Sequence, residues 1–267
     1  AEYARKMNDP NKSNHYIYRP GQGLFASATY SQKGFGINLS AKTIDNMEFR
    51  SDREAGFNDL FINYLPALTR QHTYNLAATL YPYATQPNGE IGFQSDISYK
   101  IKKGSKVGGK YGTTIMLNAS WINSLKRSYI SDANGDTATA LLEDFVYLNE
   151  DPGREGYTTS LFKASNEVLY RDVNIEVARK FNKAFKLKLS YIYLDYNIFV
   201  IQNKVSPNVI THIAVVEGLN KLSKKHSIRW EFQHMLTEQD QGDWIFGLVE
   251  YAYSPHWIVS VLNQYNY

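Results

Sequence analysis

Apolar and polar residues alternate along most of this chain with a period of two, in segments about as long as a bilayer-crossing strand, roughly 9 to 11 residues. Between Glu90 and Ile101 the apolar set is Ile91, Phe93, Ile97, Tyr99 and Ile101, with Gln94, Asp96, Ser98 and Lys100 in the alternate places. From Arg171 to Phe181, Val173, Ile175, Val177 and Phe181 oppose Asp172, Asn174, Glu176 and Lys180. The same pattern fits Phe185, Leu187, Leu189, Tyr191 and Tyr193; Ile228, Trp230 and Phe232; and Trp257, Val259, Val261, Tyr265 and Tyr267. Successive side chains of an extended chain point to opposite faces, so each segment predicts a strand with one apolar and one wet face. Helical spacing is nearly absent, its best candidate being Ala138 to Val146.

The connections alternate in length. Tight links at Gln32–Lys33, Pro66–Gln71, Lys102–Lys106, Asn182–Ala184, Ser223–Lys225 and Ser254–His256 are rich in turn-forming residues. Longer links lie between them at Asp45–Gly56, Pro82–Gly89, Trp121–Tyr170, Ile198–Ile210 and Glu238–Gly242. Hairpins joined this way predict about twelve antiparallel strands, each beside the next, which is the layout of outer-membrane barrels with short periplasmic turns and longer outer loops. The expected fold is therefore all-β, a transmembrane antiparallel up-and-down β-barrel over residues 1–267, with 121–170 as a long extracellular loop. Strand Gln22–Ser31 runs into a short turn and Trp257–Tyr267 leaves one, so both ends fall on the loop side. Bacterial barrels normally begin and end in the periplasm. At least one more strand is expected at each end, about fourteen or more in all, in a longer protein.

A soluble sandwich also alternates, but its strands average about five or six residues. Aromatic rings gather toward strand ends, with Tyr99, Trp121, Tyr193, Tyr251, Tyr253, Trp257 and Tyr265 as membrane-interface candidates. The polar faces carry both signs of charge, and Asp96, Lys100, Glu176, Lys188, Arg229 and Glu231 are the candidate lumen-lining residues. Composition agrees: 21 Tyr, 13 Phe and 4 Trp make 14% aromatic residues, which favours extended structure or an interfacial role. No apolar run approaches the roughly 18 residues a spanning helix needs. With 0 Cys, thiol catalysis, zinc–thiolate sites and iron–sulfur clusters are excluded. A net charge of +3 from 29 basic and 26 acidic residues argues against a nucleic-acid partner.

The segments GLFASATYSQKGFGINLSAKTIDNMEFRSDR, DLFINYLPALTRQHTYNLAATLYPYATQPNGEIGFQSDISYKI and YRDVNIEVARKFNKAFKLKLSYIYLDYN resemble a family of Bacteroidetes outer-membrane β-barrel proteins of unknown function. The resemblance covers most of the chain. It implies a location and a fold, a membrane protein of a Gram-negative outer membrane, and supplies no catalytic residue. Members are longer and continue beyond a segment like QYNY.

Sites of specific chemistry are sparse. Asp132, Asn134, Asp136 and Glu143 occupy the first, third, fifth and twelfth places of a calcium loop, but the sixth place is Thr137 where the turn needs Gly, so a solvated loop is the default reading. The histidines, His15, His72, His212, His226, His234 and His256, are scattered singly, with His72 and His256 at turns, and a solvated or interfacial role is expected. No HxS pair puts a nucleophile and base on one strand face, and there is no GxSxG elbow, so no enzyme activity and no cofactor is expected. Lys-rich turns at Lys102–Lys106 and Ser223–Lys225 read first as solubilising, and otherwise as contacts with acidic headgroups or a partner. The expected function is porin-like passage of small solutes, with weak ion selectivity and the 121–170 loop folding inward as a constriction. The alternative is a non-conducting barrel or scaffold in an outer-membrane assembly for secretion, nutrient uptake or barrel insertion. It would bind protein partners through that loop and the aromatic Pro82–Gly89 region, with outer-membrane lipids around it in either case.

Overall fold

The structure is a computed structural model that describes residues 1–7, 9–14, 16–56, 59–62, 65–80, 82–129 and 156–267. Its strands are β1 (Glu2–Lys6), β2 (Gly21–Gln32), β3 (Phe35–Asp45), β4 (Gly89–Ile101), β5 (Thr113–Tyr129) and β6 (Tyr157–Lys180), followed by β7 (Phe185–Tyr196), β8 (Val209–Lys221), β9 (His226–Leu236), β10 (Trp244–Tyr253) and β11 (Trp257–Asn266). They form one 11-stranded sheet in sequence order, every neighbour antiparallel. This is the all-β up-and-down layout that the alternation and turn spacing predict. Among the described residues no pairing joins β11 to β1 or β2, so the barrel wall is open there.

Two differences from the expected strand list have physical causes. Strand β1 precedes the expected first strand and runs antiparallel to β2, so the parity that put the N-terminal side of the sheet on the loop rim does not hold. Among the described residues the two strands of the hairpin expected about Pro66–Gln71 are absent, and with β1 added the sheet has eleven strands where about twelve are expected. Between β3 and β4 lies one long connection, with a single turn of helix, α1 (Asn75–Ala78), near its middle. Tyr74 and Leu76 imitate strand alternation, but Tyr74, Leu76, Ala77 and Leu80 all pack into one core. A segment buried against a wall needs no second sheet face. Strand also occupies both ends of the expected 121–170 loop, because β5 runs to Tyr129 and β6 begins at Tyr157.

The connection lies on the concave side of the sheet. Leu68, Tyr74, Leu76 and Tyr83 are buried against Ile122 of β5, Tyr170 of β6, Ile192 and Leu194 of β7, Ile213 and Val215 of β8, Met235 of β9 and Phe246 of β10. One short segment can touch so many strands only if the sheet curls around it. These wall positions read as near-continuous apolar runs in sequence, such as Ile210–Val216, the signature of strands covered on both faces. On the other face of the sheet there is a cross-strand close approach: a Cβ on Gly218 of β8 would lie 2.2 Å from the Trp230 ring, so glycine there lets the indole lie across β8 and donate to Asn220 Oδ1 at 3.0 Å.

Leu76 is 1% exposed, and its truncation should leave a cavity between α1 and the wall. Leu76→Ala is expected to cost about 2–5 kcal/mol. A denaturant midpoint unchanged from the parent protein in the same detergent would show that the connection does not contribute to the core.

Candidate functional site: the concave face

The register assigns each strand residue to a face. On the concave face, Asp96 and Lys100 of β4, Glu176 of β6, Lys188 of β7, Arg229 and Glu231 of β9 all project to the same side. The structure brings four of the six together. Lys188 Nζ lies 3.9 Å from Glu176 and 2.9 Å from Glu217, Arg229 Nε lies 3.6 Å from Glu217, and Arg229 pairs with Glu231. The result is a ladder of alternating sign across β6, β7, β8 and β9. Glu217, its central carboxylate, is absent from the candidates named above. Its signal was in the sequence: it follows Ile213 and Val215 at the same parity, at the end of an apolar run. Asp96 lies two strands from Glu176, on β4, and Lys100 lies on the same strand at the short-turn rim.

A second relay, of amides between two carboxylates, crosses β4, β5 and β6. Asn118 Nδ2 donates to Asp96 Oδ1 at 2.6 Å, and Asn174 Nδ2 donates to Asn118 Oδ1 and to Asp172 Oδ1, both at 3.1 Å. The inward connection hangs on this relay. Arg70 Nη1 donates to Asn174 Oδ1 at 2.6 Å, and His72 Nε2 lies 2.6 Å from Asp172 Oδ2. His72 is therefore a buried anchor, and the solvated turn position expected for it is corrected. The connection is also held at its two ends and its middle. Lys42 Nζ donates to Pro66 O at 2.5 Å and Thr85 Oγ1 at 2.7 Å while lying 2.9 Å from Glu90 Oε1. Leu76 N donates to Gln233 Oε1 at 2.9 Å, Tyr74 Oη and Ser190 Oγ share a 3.1 Å hydrogen bond, and Asn75 Nδ2 donates to Gln264 Oε1 at 2.7 Å. Tyr83 Oη donates to Glu90 Oε2 at 2.6 Å, and burial, reinforced by that carboxylate, pushes its phenol well above the ordinary value. Tyr83 thus faces inward and stacks on Tyr170 with centroids 5.1 Å apart, so the Pro82–Gly89 region does not offer the aromatic contact surface expected of it.

The inward segment that narrows the concave side is thus 65–88, fixed by side chains whose partners lie a hundred residues away. The calcium-spaced Asp132, Asn134, Asp136 and Glu143, the Ala138–Val146 helix candidate, His15 and the middle of the 121–170 loop lie outside the described residues. One cleft beside the segment, of about 400 Å³, has a mixed lining, with polar Asn38, Arg70 and Asp96 alongside apolar Ile37, Ile97 and Leu117. Its hydroxyls, amide and one charge of each sign can hydrogen-bond polar groups. They place no nucleophile beside an oriented base.

The convex face is the inverse. Phe93, Phe232, Val249, Trp257 and Val261 are 45%, 49%, 55%, 70% and 72% exposed. From β2 to β11, outward charges occur only near strand ends, at Asp45, Arg171, Arg179 and Asp195, and at the bulged end of β5. The interface candidates all project outward: Tyr99, Tyr251, Tyr253 and Trp257 toward the short-turn rim, Trp121, Tyr193 and Tyr265 toward the other. The outward histidines pair with tyrosines in these bands, Tyr191 Oη lying 2.7 Å from His212 Nδ1, His226 Nδ1 2.5 Å from Tyr251 Oη and His234 Nε2 2.6 Å from Tyr267 Oη.

The whole chain, residues 1–267, matches a family of unknown function (DUF6029), and it belongs to that family. No curated protein matches it. Among solved structures, a "KdgM porin in complex with disordered oligogalacturonate" is similar at 11% sequence identity over 93% of this chain and 93% of that chain, with a TM-score of 0.29. At that score the likeness carries no argument, and the architecture rests on the strand pairing itself.

Replacing Arg70 and His72 together by alanine removes two charge-assisted anchors, each of the kind that contributes about 1.5–3 kcal/mol. Amide exchange across 66–73 is expected to speed up at least about tenfold while β6 stays protected. Unchanged exchange would mean that packing alone holds the segment.

Proposed function

We propose that this protein is an integral outer-membrane β-barrel that passes small hydrated solutes along its polar concave side, with segment 65–88 as the constriction. The observation that carries this reading is the inversion of the two faces. A soluble sheet buries its apolar face and wets its polar one. Here charged and amide side chains such as Asp172, Asn174, Glu231 and Gln233 are buried on the concave side, while the apolar convex face is exposed across β2 to β11. A contiguous exposed apolar surface of this extent marks an interface, and a hydrocarbon layer is the partner that matches a belt on every strand flanked by aromatic rings. Hydrocarbon offers an unpaired strand edge no hydrogen-bond partner, so this reading requires the free edges of β1 and β11 to be paired. Strands β1 and β11 run in the same direction, so an all-antiparallel closure takes an odd number of further strands.

The solute passage and the location rest on this chemistry. Within it, the ladder of Glu176, Lys188, Glu217, Arg229 and Glu231 presents both signs in succession, three acids against two bases, which gives that part of the wall only a weak ion preference. The fixed segment 65–88 favours a second reading, a closed barrel that serves a larger surface assembly as a membrane subunit. Its eight or so anchoring contacts make an immobile stopper rather than a loose loop.

Single-channel recording of the full-length native protein in planar bilayers tests the first reading. Steady openings altered by charge reversal of Lys188 and Glu217 together are expected, and a silent bilayer containing demonstrably folded protein would favour the closed scaffold. Membrane embedding is tested separately. Val249→Arg, at the middle of the convex face of β10, should weaken folding into vesicles by about 2–4 kcal/mol, whereas a soluble sheet would tolerate an exposed arginine at that site with little change.

A further inference from the structure

Charge is divided unequally between the two rims of the sheet. The turns at 33–34, 102–112, 181–184, 222–225 and 254–256, each taken with three residues on either side, hold thirteen of the chain's 29 Lys and Arg and none of its 26 Asp and Glu. Solubility alone does not require such a bias, because mixed charge keeps turns soluble as well.

The strand register says which way this charge points. Four of these lysines lie within strands, Lys100 on β4, Lys180 on β6, Lys186 on β7 and Lys221 on β8. All four are on the concave side, at the parity of Asp96, Glu176, Lys188 and Glu217 respectively, and all are exposed. The outward positions at the same rim are Tyr99, Phe185 and Asn220, with Arg179 the single outward cation of these strands at that rim. Cations meant for lipid headgroups would alternate onto the convex face, beside the aromatic band. These face the lumen.

Lys180 and Lys186 are directly opposite each other across β6 and β7. Like charges in that position repel and destabilise a sheet. Further up the wall another like-charge pair, Glu217 opposite Glu231, is compensated by Lys188 and Arg229 within the ladder. At the rim no acid performs that service: among the described residues Lys100, Lys180, Lys186 and Lys221 make no ion pair, and Lys180 Nζ has only the Tyr111 ring, 5.0 Å to its centroid. We infer that the short-turn mouth of the concave side is a binding vestibule for multivalent anionic solutes, phosphorylated or polycarboxylate small molecules, held by Lys100, Lys180, Lys186 and Lys221. A ring of lysines at a pore entrance concentrates anions and rejects cations, while the mixed-sign ladder above leaves conduction through the wall only weakly selective. The inference deepens the solute-passage reading and takes its barrel as the frame.

The test uses inorganic tripolyphosphate as the probe, titrated calorimetrically into the full-length native protein in a neutral detergent. Binding that weakens steeply as salt is raised is expected. The quadruple variant K100E/K180E/K186E/K221E should weaken it at least about tenfold, and the milder K100Q/K180Q/K186Q/K221Q should do so in the same direction if the reversal disturbs folding. The turn-tip variant K33E/K102E/K183E/K224E, which removes as much charge from outside the strands, should change it by less than about threefold. No binding by the native protein, or equal loss in the turn-tip variant, overturns the vestibule; the second result would assign the charge to the rim surface, where phosphatidylglycerol vesicles would compete. A protein that binds tripolyphosphate but never conducts retains the vestibule and loses the pore. One that conducts without anion preference and without tripolyphosphate binding retains the pore and loses the vestibule.

Discussion

Lys42 makes three contacts at once: a hydrogen bond to the carbonyl of Pro66, one to the hydroxyl of Thr85, and an ion pair with Glu90. Its side chain is 5% exposed and that of Glu90 is 0%, so neither charge can fall back on water. Removing one partner from such a buried pair is costly because the other is left uncompensated. The two ends of segment 65–88 are thereby pinned to β3 and β4, and the apolar residues between them are delivered to β7 through β10. The curl of the sheet follows from that delivery, since Leu76 and Tyr74 reach strands far apart in order only when the wall bends round them.

Carboxylates and amides on the concave side are joined in networks across strands and to the inward segment, while the buried hydroxyls of Ser120, Tyr196 and Thr211 have no hydrogen-bond partner among the described residues. The amide relay from Asp96 through Asn118 and Asn174 ends on Asp172, where His72 meets it. The ion ladder from Glu176 to Glu231 is extended by Gln233, whose carbonyl oxygen accepts from Leu76 N and whose amide donates to Glu231 Oε1 at 2.5 Å. Wall and inward segment are therefore one hydrogen-bonded system, and a change in either is transmitted to the other through bonds of fixed geometry. Against this background the four rim lysines are conspicuous because they lack the compensation found everywhere above them.

The sequence was most informative where one period governs one environment. Alternation through Glu90–Ile101 or Arg171–Phe181 placed each side chain on a face, and the inward placement of Asp96, Lys100, Glu176, Lys188, Arg229 and Glu231 follows from parity alone. The outward aromatic bands follow in the same way. Where two environments share a strand the reading weakened: Ile192, Leu194, Ile213 and Val215 are apolar yet face inward, because segment 65–88 covers them.

Composition and period thus determined by themselves an all-β, antiparallel, sequentially paired sheet with an apolar exterior and a charged interior, because backbone pleating converts spacing directly into sidedness. They did not determine that Pro66–Gln71 belongs to an inward segment, that His72 meets Asp172, or that Glu217 sits between Lys188 and Arg229. Those contacts join residues from 12 to 100 positions apart, and their energy depends on which strands the curled wall brings within hydrogen-bonding distance. Spacing along the chain carries no record of that distance, so only the tertiary structure decided it.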